Sequence, residues 1–362
     1  MTKRNTDALT GIRFFAAAAI VLHHSQDNYY FHEGIFNAFE LDRAVQLFFA
    51  LSGFVLAINA TKYSSVLDFF VARFARIWPT HLFGLLLCVW AVFPGGLHYM
   101  ADPSQFGSLA INLSLLQAWV PNLKTNFGYN SPSWSVSWEM FFYLMFLPIF
   151  WFLSKNLWLW APLLAVGLAA ILWLGDLLAY RFGFTDPVWL LYINPIVNLP
   201  IFALGVFTGV VFMRVKVGDV PFGAASLIQG AALVLVLVSN HLPFLAGRFE
   251  SDFKACLFCC LLFVTLSSMR GAISCALSVK PLIYLGEISY SIYMVHQTVL
   301  VWNLEQKPFG FLPIWGQWIV VLMIIMAVSA ACHAIAEPLR RLIVKAWKAL
   351  RRQSGTAAPA PV

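Results

Sequence analysis

The chain has 362 residues, 60% of them apolar and only 11% charged, with a mean hydropathy of +0.77; soluble domains carry about 25% charged residues. So little polar surface excludes the soluble globular classes and points to a polytopic membrane protein. Its 23 basic and 16 acidic residues leave a formal charge of +7, an excess expected in cytoplasmic loops facing a lipid bilayer, with no nucleic acid as partner.

In chain order, Lys3, Arg4 and the following apolar run have the look of a signal peptide, but Arg13, His23 and His24 interrupt its apolar core, so an uncleaved first span is expected. A helix needs about 20 residues to cross roughly 30 Å of hydrocarbon. Gaps between charges then predict spans at 9–26, 44–61, 77–97, 133–154, 157–178, 188–213, 221–241, 254–269, 282–303 and 311–336. The fold class is all-α: a membrane helix bundle of about ten transmembrane helices plus one re-entrant or interfacial segment. That segment is "FGSLAINLSLLQAWV" (106–120), which is short and carries Asn112, Ser114 and Gln117. It leads into an outer loop, "PNLKTNFGYNSPS" (121–133). Counting it as a full crossing would put one of the basic loops on the wrong side, and irregular backbone at membrane depth survives where protein or a wet cavity covers it. A short tilted span is the alternative.

After Glu337 the chain holds Arg340, Arg341, Lys345, Lys348, Arg351 and Arg352 with no acid, and Lys3 and Arg4 mark the other end. Both termini are therefore expected to be cytoplasmic. Residues 1–336 read as one integral membrane domain and 337–362 as a basic cytoplasmic tail with a disordered end. The six cysteines lie mostly in apolar runs; Cys256 and Cys259 have C-x-x-C spacing but no second ligand pair. They read as packing residues, and no metal site is expected.

Ionisable residues inside spans are the candidate chemistry, because they are costly there and usually face a cavity or a partner. Arg13 and His24 are eleven residues apart, which is three helical turns plus roughly 20°, so they share one face about 16 Å apart along the axis. His23 projects roughly 80° away. Taken singly, Arg13 could be a snorkelling anchor and His24 a helix-packing group; as a pair they read as a polar path. Arg73 and Arg76, in "RFARIWP", share a face at the inner mouth of the third span. They mark topology, and their planar forks also suit phosphate or carboxylate. Glu139, in "SPSWSVSWEMFFYLMF", lies about one turn inside a span beside Trp134 and Trp138. Direct chemistry and a salt bridge between helices are both open there. "YLGEISYSIYMVHQ" carries Glu287, Tyr290, Tyr293 and His296, the two ends projecting from opposite faces. His296 is open as either a site residue or a packing residue. Glu337, Arg340 and Arg341 read as positional.

Together "TGIRFFAAAAIVLHH", "LFFALSGFVL", "RFARIWP", "LLQAW", "PSWSVSWEMFFYL", "YLGEISYSIYMVH" and "AEPLRR", in this order over nearly the whole chain, resemble the acyltransferase-3 family of bacterial membrane O-acyltransferases. The resemblance implies ten spans, cytoplasmic acyl-CoA (acetyl-CoA by default) as donor and a carbohydrate hydroxyl as acceptor. The acceptor would belong to a surface polysaccharide or lipid-linked glycan in the bacterial inner membrane, with polysaccharide assembly proteins as partners. The family's arginine–ten residues–histidine pattern falls on Arg13 and His24, its R-x-x-R on Arg73 and Arg76, its W-S-x-S-x-E on Glu139 and its late histidine on His296. Arg13, Arg73 and Arg76 would then hold the donor's phosphates. His24 would act as general base or transient acyl carrier, titrating near 6.5 if unperturbed. Glu139 would orient a histidine or the sugar, and His296 would supply a second proton-transfer or hydrogen-bonding group. The start "ALTGI" lacks the family's commoner acid. Many relatives carry a fused esterase-like domain, so here transfer is expected to finish in the membrane domain or on a partner. Two other readings stand beside the enzyme: a transporter of a glycan or acyl donor, and a non-catalytic scaffold of a polysaccharide export complex.

Overall fold

The structure is a computed structural model that describes residues 6–29, 41–93, 103–182, 186–239 and 248–353. Among these residues no strand forms, as the apolar runs and the scarcity of alternating patterns require. In chain order the helices are α1 (Asp7–Tyr29), α2 (Ala44–Ile58), α3 (Val66–Ala91), α4 (Phe106–Leu113), α5 (Leu123–Asn126), α6 (Trp134–Lys155) and α7 (Leu157–Asp176). They continue with α8 (Leu199–Arg214), α9 (Phe222–Val238), α10 (Arg248–Ser268), α11 (Ala272–Leu277), α12 (Lys280–Glu287), α13 (Ser289–Gln306) and α14 (Ile314–Gln353). The molecule is an all-α membrane helix protein. Five helical stretches are long and apolar enough to cross a bilayer: Asp7–Gln26, Val66–Ala91, Ser131–Lys155, Leu157–Arg181 and Ile314–Gln353. Shorter apolar helices lie at Ala44–Ile58, Leu199–Arg214, Phe222–Val238 and Lys254–Ser268.

The helices depart from the expected spans at several places, and the last, expected over 311–336, continues to Gln353. The third begins at Val66, not residue 77, so Arg73 and Arg76 lie within α3 instead of ahead of it. Hydropathy put the start too late because the two arginines depress it. The true start is a cap: the Ser65 hydroxyl accepts from the Asp68 backbone N–H at 3.1 Å. The sixth expected span is interrupted. A π-helical turn (Trp189–Ile193) gives way to a bend before α8, and the Asn194 side chain accepts from the Ile196 N–H at 2.9 Å to satisfy the freed backbone. The ninth is divided at Ile288 between α12 and α13, which separates Glu287 from His296.

The 106–120 segment forms α4, eight residues and about 12 Å long, too short to cross about 30 Å of hydrocarbon. Leu115 then turns the chain in the left-handed region (φ 58°). The six cysteines form no disulfide among the described residues, and five of them are buried. The disordered end expected after 353 lies outside the described residues.

The chain divides into two compact units, with boundaries at His23/His24, Asn59/Ala60, Tyr143/Leu144 and Ser289/Tyr290. In the first unit α2 packs on α8 through small residues. A Cβ at Gly205 would sit 2.0 Å from the Ala50 carbonyl oxygen, and one at Gly53 would sit 2.4 Å from that of Phe202, so only glycine permits this approach.

In the second unit α14 packs along α3. α14 is about 60 Å long, twice the hydrocarbon thickness. Near its end Arg351 pairs with Asp68 at 2.6 Å, and Trp347 Nε1–H donates to the same carboxylate at 2.8 Å.

Candidate active site

The second unit holds the 106–133 segment against its helices by bonds from side chains to backbone carbonyls. From α3, Trp78 Nε1–H donates to the Leu113 carbonyl (3.3 Å), His81 Nε2–H to that of Asn112 (2.9 Å) and Cys88 Sγ–H to that of Tyr129 (2.6 Å). From the loop, Asn130 Nδ2–H donates to the Met294 carbonyl of α13 at 2.8 Å. The Tyr293 hydroxyl donates to the Pro132 carbonyl at 3.0 Å and lies 2.7 Å from the Ser135 hydroxyl. Non-helical backbone inside a membrane protein requires such partners, and here they fix the register of α13 against the start of α6.

That register presents His296 to His24. The imidazoles are 2.9 Å apart, His24 Nδ1 to His296 Nε2, with centroids at 5.1 Å and planes 26° apart. His296 is fully buried and His24 is half-buried. The chemistry of the partners orders the protons. His296 Nδ1 lies 2.6 Å from the Tyr293 carbonyl, which only accepts, so Nδ1 carries a proton. On a neutral His296, Nε2 is then the acceptor and His24 Nδ1–H the donor. On a neutral His24 the lone pair is left on Nε2. A proton acceptor oriented through its other nitrogen is the arrangement general-base catalysis uses.

The predicted site residues separate into two groups. His24 and His296 meet. Arg13 and His24 lie on one unbroken helix, α1, with the expected spacing, and Arg13 is half-buried. Arg73, Arg76 and Glu139 collect around two tyrosines that sequence reasoning missed. Arg73 Nη2–H donates to the Tyr63 hydroxyl at 2.6 Å, and its guanidinium stands 5.5 Å from the Tyr63 ring centroid and 5.7 Å from that of Tyr143. The Tyr143 hydroxyl donates to the Glu139 carboxylate. Tyr143 is within electrostatic reach of Arg73, Arg76 and Glu139, and Tyr290 within reach of Arg76, Glu139 and Tyr143. Glu139 is thus bonded to a tyrosine on the arginine side, and the structure does not bring it to either histidine.

Trp134 and Trp138 are core residues, 6% and 1% exposed and packed edge to face at 4.8 Å. His81 was also passed over, although a histidine in mid-span is itself a signal. For Tyr143 the signal was its i, i+4 spacing from Glu139.

Fold and site define a helical membrane protein with an imidazole pair at one level and Arg73 and Arg76 gathered with tyrosines at another. The chain belongs to the acyltransferase-3 family, whose acyltransferase domain matches residues 6–334, and it is an acyltransferase. It is 28% identical to the acyltransferase MdmB of Streptomyces mycarofaciens over 98% of this chain and 95% of that protein. It is 24% identical to nodulation protein 10 of Rhizobium leguminosarum bv. viciae over 90% of each. No solved structure matches the chain.

Proposed function

We propose that this enzyme moves an acyl group, acetyl by default, from cytoplasmic acyl-CoA to a hydroxyl of a cell-surface polysaccharide or lipid-linked glycan. It would do so in a bacterial inner membrane with both termini in the cytoplasm. The observation that carries the reading is the His24–His296 pair, whose hydrogen bonding leaves the basic nitrogen of His24 at Nε2. As the acceptor oxygen attacks the thioester carbonyl, His24 takes the hydroxyl proton. The tetrahedral intermediate collapses with cleavage of the C–S bond, and the proton passes to the departing thiolate. His296 holds His24 in orientation and tautomer.

The donor's phosphates fall to Arg73, Arg76 and Arg13. Arg340 and Arg351 are committed to ion pairs with Glu337 and Asp68, each at 2.6 Å. Arg73 is held by a hydroxyl and two ring faces and keeps its charge for an anion. Arg76 lies one turn further along α3, and Arg13, three turns before His24 on α1, is given to the donor by the family resemblance. Along α13, Tyr290 at the arginine group and His296 are six residues apart, an axial rise of about 9 Å. A pantetheine arm would carry the thioester over that interval. The carbohydrate acceptor rests on the family resemblance.

The test is covalent. Purified protein in liposomes receives radiolabelled acetyl-CoA outside and polysaccharide or lipid-linked glycan from the source membranes. Label should appear as an alkali-labile ester on the acceptor, and His24→Ala should abolish it. Label that only crosses the bilayer would make the protein a transporter, and transfer unaffected by His24→Ala would remove the histidine from the mechanism.

A further inference from the structure

Glu139 is an acid that the sequence places about one turn inside a span, and its bonding partner is unexpected. It lies one turn from Tyr143 on α6 and accepts that residue's hydroxyl proton. The Tyr143 ring, buried at 1% exposure, faces the Arg73 guanidinium at 5.7 Å, and Tyr63 faces it at 5.5 Å while also accepting its Nη2–H. Arg73 is thus clamped by two aromatic rings. Ring faces attract a cation without neutralising it, whereas a carboxylate in the same place would pair with it and compete with any incoming anion, as Glu337 does for Arg340. Arg73 Nε makes no hydrogen bond among the described residues although it is buried, so the fork retains a donor.

We propose that Tyr143 is a positioning residue of the donor site: with Tyr63 it fixes the Arg73 guanidinium for phosphate, and Glu139 acts by holding Tyr143 instead of by moving a proton at the histidine pair. The placement of neighbours agrees. Ser135, one turn before Glu139, contacts Tyr293, while Glu139 and Tyr143 are at the level of Tyr290. On α6 the acid therefore lies at the level of Tyr290 and the arginines, one turn from the residue that meets Tyr293. This inference rests on the reading that Arg73 takes a phosphate of the donor, and the experiment separates the two.

Equilibrium binding to the purified full-length protein is measured with acetyl-CoA and with S-acetylpantetheine, which has the same thioester arm and no phosphate. The ratio of the two affinities reports the contribution of the phosphorylated nucleotide portion, its phosphates included. Arg73→Ala should collapse that ratio; if it does not, the phosphate reading falls. Tyr143→Phe keeps the ring face and loses the tether, and should weaken acetyl-CoA binding about threefold. Tyr143→Leu loses both and should weaken it about tenfold. Glu139→Gln, which still accepts a hydrogen bond, should stay within about twofold of the parent. S-acetylpantetheine binding should be unchanged throughout. Should Arg73→Ala collapse the ratio while both Tyr143 variants preserve it, or should the Tyr143 variants weaken both ligands equally, the positioning role is wrong. A Glu139→Gln variant with normal acetyl-CoA affinity but turnover as low as that of His24→Ala would return the carboxylate to the chemistry.

Discussion

The two units are held together by different means. In the first, α2 and α8 meet backbone to backbone through Gly53 and Gly205, an apolar contact that depends on the absence of side chains. In the second, Trp78, His81, Cys88, Asn130 and Tyr293 each donate to a carbonyl of the irregular 106–133 stretch or of α13. Close apolar packing needs no charge and offers no chemistry. A unit that already buries donors and acceptors can also bury an imidazole pair, because the surrounding polar groups make titratable side chains tolerable at depth. The two imidazoles themselves stand on regular helices, α1 and α13, and α13 is the helix bonded to this irregular stretch.

The contrast predicts that substitutions at the imidazole pair change rate and those in the α2–α8 contact change only stability. The largest effect is expected at the histidines. His24→Ala should lower turnover by about 10²–10⁴-fold and His296→Ala by a smaller factor, and the double variant should be no slower than His24→Ala, since the two act as one device. Additive losses in steady-state rates would show that they act separately.

Next comes Gly205→Val in the first unit. Its Cβ would meet the Ala50 carbonyl at 2.0 Å, and overpacking of this kind costs about 1–3 kcal/mol or more. Tm should fall while kcat and KM of the surviving fraction stay unchanged; a kinetic defect with normal Tm would erase the distinction between the units. The smallest effect is Arg351→Ala. It breaks a pair whose partners are 19% and 18% exposed, and it should lower stability by about 1 kcal/mol or less, with the loss shrinking in high salt.

What the sequence disclosed was whatever lies along a single helix. Arg13 and His24 follow from 3.6 residues per turn, as do the Arg73–Arg76 face and the failure of α4 to cross. What it withheld lies between helices. Nothing in the spacing of "YLGEISYSIYMVHQ" says that His296 meets a residue 272 positions earlier, or that an acid on α6 serves an arginine on α3. The misplaced start of α3 is a different failure: Ser65 and Asp68 spell a helix start three residues apart, but hydropathy across two arginines outweighed it.

The unbroken run of α14 has a mechanical corollary. A forty-residue rod clasped at Asp68 is a lever whose short arm is the first turns of α3, only five residues from Arg73. Any load placed on the far end of that rod, such as a fused fluorescent protein or an immobilising tag, is transmitted to the helix that carries the Arg73 guanidinium.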